Sequence, residues 1–163
     1  MAIPTIKLVY QKEKKEIMEK LEYFGIKNLP FLLTESGKEK IRGYSGMLSA
    51  EEILELDRKV GIELIGLYLF HNYPDNIRMS FDAISALKSQ ITKNILEVSD
   101  EQAQEFLKGH DIALSKQEHE SLKQQGEKTG FKIIKNQDDL LGTGKLTEEG
   151  RIVNYMPKER RIK

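Results

Sequence analysis

The 163-residue chain carries 26 Lys/Arg against 26 Asp/Glu, so a protein that is 32% charged has no formal net charge, and 39% hydrophobic content suffices for one ordinary domain or two small packed ones. Zero cysteines exclude disulfide frameworks, thiolate metal sites and every thiol nucleophile. The longest apolar run, residues 64–70, is about a third of the ~20 residues a membrane helix needs, and no signal-peptide pattern is present, so a soluble, cytoplasmic protein is expected.

The first helical spacing is Ile17, Leu21 and Phe24 behind the charged face KEKKEIMEK, and Gly25 is a natural stop. An extended apolar run follows Pro30 at residues 31–33. A turn at Ser36-Gly37 then leads to a second strand at 39–44. Ser49 followed by Glu52 is a capping box, and Ile53, Leu56 and Val60 stripe a short helix that stops at Gly61. Residues 62–70 read as a buried strand by length and bounding signals, although periodicity alone also fits a helix. A turn around Pro74 leads into a short strand at 77–79, and Ser80 caps a helix bearing Phe81, Ile84, Leu87 and Ile91.

A second unit opens with a strand at 94–98. Ser99 with Gln102 then caps a helix carrying Ala103, Phe106 and Leu107, which Gly109 stops. Residues 115–129 are polar and poorly periodic, and read as an exposed connection holding at most one helical turn. Short strands follow at 131–135, 139–143, 145–146 and 151–154, with turns at 136–138, 142–144 and 149–150. That spacing favours a small barrel or sandwich. The expected organisation is a small α+β domain over residues 1–93 and a second domain over residues 94–163.

Charge is distributed unevenly in the second half. Residues 151–163 hold five Lys/Arg against one Glu, whereas residues 94–150 hold seven basic and twelve acidic residues. A concentration of positive charge at one end is the footprint of a polyanion site, although a basic terminus is also a common solvated tail. Lys145, Arg151, Asn154, Tyr155, Lys158, Arg160 and Arg161 fall within seventeen residues. Lys and Arg neutralise phosphates, Asn hydrogen-bonds a base edge, and Tyr either stacks on a base or fills a core. The string Gly142-Thr-Gly-Lys145 is not a phosphate loop: a P-loop needs a Gly at position 139, a Ser/Thr at 146 and a following helix, and here stand Asp139, Leu146 and a hairpin pattern. His71, His110 and His119 lack metal-ligand spacing, and the scattered carboxylates nominate no acid/base pair.

Residues 141–161, with GTGK, then Gly150-Arg-Ile-Val-Asn154-Tyr155 and Met156-Pro157-Lys158-Glu-Arg160-Arg161, closely resemble the PUA-like domain at the C-terminus of Nop/Fmu-type RNA cytosine-5 methyltransferases. The resemblance spans roughly residues 94–161, is weakest over 112–128, and implies a PUA-type mixed β pseudobarrel. It further implies recognition of structured RNA through shape, phosphates and an unpaired end. The stretch RMSFDAISAL at 78–87 is faintly similar to the domain preceding PUA in Nip-seven-like ribosome-biogenesis proteins. Those methyltransferases use a cysteine nucleophile and a doubly wound α/β domain; this chain has no cysteine and too few strands before residue 93 for such a sheet.

The expectation is therefore an α+β, non-catalytic RNA-binding protein of rRNA or tRNA maturation or ribosome biogenesis, with no cofactor and no metal. In this reading Lys145, Arg151, Lys158, Arg160 and Arg161 meet phosphates, Asn154 and Tyr155 meet base or sugar, and His71 and Arg78 extend the surface. The alternatives are a protein-interaction or RNA-delivery subunit for a separate RNA methyltransferase or ribosome-assembly factor, and a small enzyme without a recognisable motif.

Overall fold

Serine caps start four of the described α-helices of the computed structural model, which describes residues 5–163. At Ser49, Ser99 and Ser115 the hydroxyl accepts an N–H three residues on, and the side chain of Glu52, Gln102 or Glu118 accepts the serine's own N–H in return. The chain divides into two compact units, Met1–Ile91 and Thr92–Lys163.

The first unit runs β1 (Lys7–Leu8), α1 (Gln11–Leu21), a 3-10 turn Glu22–Phe24, β2 (Leu32–Ser36), β3 (Lys40–Tyr44), α2 (Ala50–Val60), β4 (Leu67–Asn72), β5 (Ile77–Met79) and α3 (Phe81–Ala86). Its five strands lie in chain order, each antiparallel to the next. The apolar positions of α1 bury Ile17 and Leu21, the 3-10 turn after it buries Phe24, and the strands bury Leu33, Ile41, Phe70 and Met79. Each such side chain contributes about 1.5 to 3 kcal/mol by leaving water. The strand expected from residue 62 starts only at Leu67. Its first residues are diverted because the Ile62 N–H donates to Asp57 Oδ1 at 2.7 Å, and because Gly66, at φ +83°, is pressed against the backbone of Gly43.

The second unit runs β6 (Ile95–Glu97), α4 (Asp100–Leu107), β7 (Ile112–Ala113), α5 (Lys116–Gln124), β8 (Gly130–Asn136), β9 (Asp139–Leu146), β10 (Arg151–Asn154) and a 3-10 turn Lys158–Arg160. Its sheet has the order β6-β8-β9-β10-β7, with β6 parallel to β8 and all other pairs antiparallel, and it curls into a half-barrel. The fold is thus α+β, with a mixed sheet in the C-terminal unit.

Two local expectations are corrected here. The polar connection at 115–129 contains the nine-residue helix α5, which has no fully buried residue and therefore shows no apolar stripe; its capping box was its one clear signal. The expected turn at Gly142–Gly144 does not exist, because residues 139–146 form one continuous strand. A Cβ at Gly144 would come within 2.6 Å of Ile152 Cγ2, and one at Gly142 within 3.3 Å of Phe106 Cε1. The two glycines make room for packed side chains rather than bending the chain. Among the described residues, no helix is long and apolar enough to cross a membrane.

Candidate nucleic-acid interface

The short strand β10 is the axis of the candidate site. Its neighbour β9 places Lys145 directly across from Val153, and β8 places Phe131 on the other side of Lys145. Because side chains alternate along a strand, Arg151 and Val153 lie on the same sheet face as Lys145 and Phe131. The Lys145 amine stands 5.7 Å from the centre of the Phe131 ring. Tyr155 follows β10 and sets its ring edge-on to the same phenyl, with centroids 5.7 Å apart at 74°. An exposed ammonium and a half-buried phenol thus converge on one aromatic ring, a pairing that holds a cation at an aromatic surface.

The next residues form an anchored turn instead of a loose tail. Met156 is buried, and the Tyr155 N–H donates to Thr143 O at 3.2 Å. Beyond the 3-10 turn, the Ile162 N–H donates to Leu107 O at 3.0 Å. Lys158, Arg160 and Arg161 are exposed on this turn. Arg161 donates from Nε to Met156 O at 3.2 Å, and its guanidinium lies where a side chain at Gly109 would otherwise stand. Arg160 and Arg161 are therefore held on a built surface, not on a free terminus.

Asn154 is tied into the fold. Its amide nitrogen donates to Phe106 O at 2.7 Å and His110 O at 2.9 Å, while its amide oxygen accepts the Met156 N–H at 2.6 Å. Both amide N–H donors are engaged by the protein itself, so this side chain fastens the β10 exit to the end of α4. Arg151 is exposed, but its guanidinium is paired with Asp111. Burial opposes ionisation of Asp111, yet the Arg151 guanidinium and the Asn154 N–H, which donates to Oδ1 at 2.8 Å, outweigh it and hold the carboxyl below its usual range.

Sequence reasoning missed Asp111 and Phe131. Asp111 lies 40 positions from Arg151, and only the pairing of β7 with β10 brings them together. Phe131 carries only a strand signal in the sequence, and nothing local shows that Lys145 and Tyr155 meet at its ring. In the first unit, His71 and Arg78 are direct cross-strand partners. His71 Nε2 lies 3.0 Å from Glu39 Oε2, and Arg78 donates to the Tyr73 hydroxyl at 3.1 Å. Among the described residues, no group of three or more His, Cys, Asp or Glu is arranged to hold a metal ion.

None of the curated proteins matches the chain. Residues 93–162 match the family model described as the methyltransferase RsmF PUA domain, which covers the C-terminal unit and leaves the N-terminal one outside. The half-barrel that carries Lys145, Arg151 and the anchored basic turn is thus a PUA-like domain, similar to the one borne by that methyltransferase family.

Proposed function

We propose that this chain is an RNA-binding protein without chemistry of its own, acting in the cytoplasm on structured rRNA or tRNA during maturation or ribosome biogenesis. The observation that carries the reading is the cation and aromatic pair over Phe131, continued by the exposed cations of the anchored turn, on a unit that matches a PUA domain. Lys145, Lys158, Arg160 and Arg161 meet phosphates, and Tyr155 offers its ring to an unstacked base or sugar. Arg151 joins them when a phosphate competes with Asp111. Asn154 shapes the surface from beneath.

The test is fluorescence anisotropy with a labelled tRNA or rRNA hairpin across about 50 to 200 mM salt, comparing the wild type with Arg160→Glu/Arg161→Glu. The double variant is expected to bind about 100-fold more weakly, with a shallower salt dependence. Circular dichroism checks that losing the Arg161 contact to Met156 leaves the fold intact. Equal affinity of the two proteins at about 150 mM salt would refute the assignment.

A second reading, an RNA-delivery subunit for a separate methyltransferase, draws support from the N-terminal unit. Its five strands are all antiparallel, unlike a doubly wound cofactor-binding sheet, and the 163 residues contain no cysteine. Purification from extract with and without nuclease separates the two: a methyltransferase that stays bound after digestion supports delivery, and one lost on digestion was tethered only by RNA.

A further inference from the structure

The described residues expose nine large apolar side chains, and six of them, Met47, Leu48, Leu56, Val60, Leu64 and Leu67, fall within residues 47–67. That segment is α2 with its two flanks. The inward face of α2 seats Ile53 and Asp57, which are both buried, yet Leu56 and Val60, one helical turn apart, remain 40% and 69% exposed. Leu48, Glu52, Glu55, Leu56 and Lys59 line a shallow groove along this flank. Leu64, just past the helix end, is 59% exposed, and Met47, just before the helix start, has its whole side chain in water. Scattered exposed apolar residues are ordinary; six within one short segment of the chain, two of them lining one groove, point to a docking surface.

The charges on the flank select its occupant. Glu51 and Glu52 stand in the first turn of α2, and Arg58 and Lys59 in the last. The order favours the helix dipole, and it also makes the helix self-complementary when two copies pack antiparallel. We propose that this flank is the seam of a homodimer in which α2 packs against α2 of a second copy across a two-fold axis. With Leu56 on that axis, the two leucines meet. Leu48 then lies toward Leu64 of the second copy, and Glu52 beside its Lys59. Within one chain Lys59 pairs with Glu55 at 3.0 Å, but both side chains are about two-thirds exposed, so exchanging partners costs little. A seam carried by one eleven-residue helix and its flanks is expected to associate reversibly and weakly, on the order of micromolar to sub-millimolar.

Sedimentation velocity of the full chain over a range of concentrations tests the proposal. The wild type is expected to shift toward twice its mass as concentration rises. Glu52→Lys faces Lys59 of its partner with like charge, Lys59→Glu faces Glu52 likewise, and each alone is expected to associate at least about tenfold more weakly. An equimolar mixture of the two single variants restores both pairs and is expected to regain the wild-type shift. Glu52 also belongs to the capping box of α2, so Val60→Asp, which touches neither cap, serves as an independent disruption, and circular dichroism confirms that each variant is folded. A monomer at all concentrations up to about 0.5 mM overturns the proposal. So does a dimer indifferent to Val60→Asp, or a mixture that fails to recover.

Discussion

Each unit holds an irregular segment in place with one aspartate, and the two aspartates are used differently. Asp57, buried on α2, accepts the Ile6 N–H at 2.8 Å, the Ile62 N–H at 2.7 Å and the Thr5 hydroxyl at 2.9 Å. All of its partners are internal, and its carboxyl is held below the usual range first by the Ile6 N–H. Asp111 divides itself between a backbone N–H, that of Asn154, and an exposed guanidinium, that of Arg151. The first arrangement only stabilises. The second also sets how much positive charge the candidate interface shows, because a carboxylate already paired with Arg151 competes with an incoming phosphate.

The sharpest way to break this contrast is to remove the wholly internal aspartate. Asp57→Ala leaves the Ile6 and Ile62 amides without their acceptor and the Thr5 hydroxyl with Ile62 O alone, and is expected to cause a larger stability loss than the changes that follow. Hydrogen exchange should show protection lost first at Ile6 and Ile62. The pH dependence follows from the sign of the shift: a carboxyl depressed in the folded state stabilises above its unfolded pKa, and that stability disappears as pH falls through the lower, folded value. The difference in thermal stability between wild type and Asp57→Asn should therefore be full near neutrality and shrink below the ordinary value of 3.8. A constant difference down to about pH 2 would deny that the ionised carboxylate is what matters.

The matching change in the second unit is Asn154→Ala, which strips one acceptor and two donors from the junction of α4 and β10. It is expected to cost about 2 to 3 kcal/mol, read by urea unfolding. If Asn154 reads RNA instead, affinity would fall while stability held. A stable variant with weakened binding would return this residue to the contact surface.

The same contrast explains what was legible from the chain. Local, short-range chemistry was readable: Ser49 with Glu52 and Ser99 with Gln102 announced two helix starts, and Gly25 and Gly61 marked two stops. The identical signal at Ser115 and Glu118 stands alone in the sequence, because α5 buries no residue fully and so carries no apolar stripe to accompany its cap. Gly142 and Gly144 mislead because a glycine that bends the chain and one that admits a neighbour's side chain look alike in sequence; only the packing of Phe106 from α4 and Ile152 from the paired strand distinguishes them. The charge of the basic turn was visible in the composition. Its anchoring was not, since Leu107, Gly109 and Met156 meet it only after folding. The site residues divide in the same way: cations were nominated by type, whereas the diversion of Asn154 to structure and the partial neutralisation of Arg151 depend on Asp111 and the α4 end.

The smallest expected effect is the most discriminating. Asp111→Asn keeps the shape and one acceptor for the Asn154 N–H but removes the charge that holds Arg151. Stability should fall modestly, because the ion pair is largely exposed on the arginine side, at 61%. RNA affinity should rise about threefold to tenfold at low salt, with a steeper salt dependence, since one more cation becomes available to a phosphate. Adding Arg151→Gln to Asp111→Asn should abolish that gain while leaving the remaining basic turn in place. The opposite result, lower affinity in Asp111→Asn, would mean that Arg151 must be held in its present orientation to meet RNA, and the aspartate would then be a positioning residue for the interface and not a competitor with it.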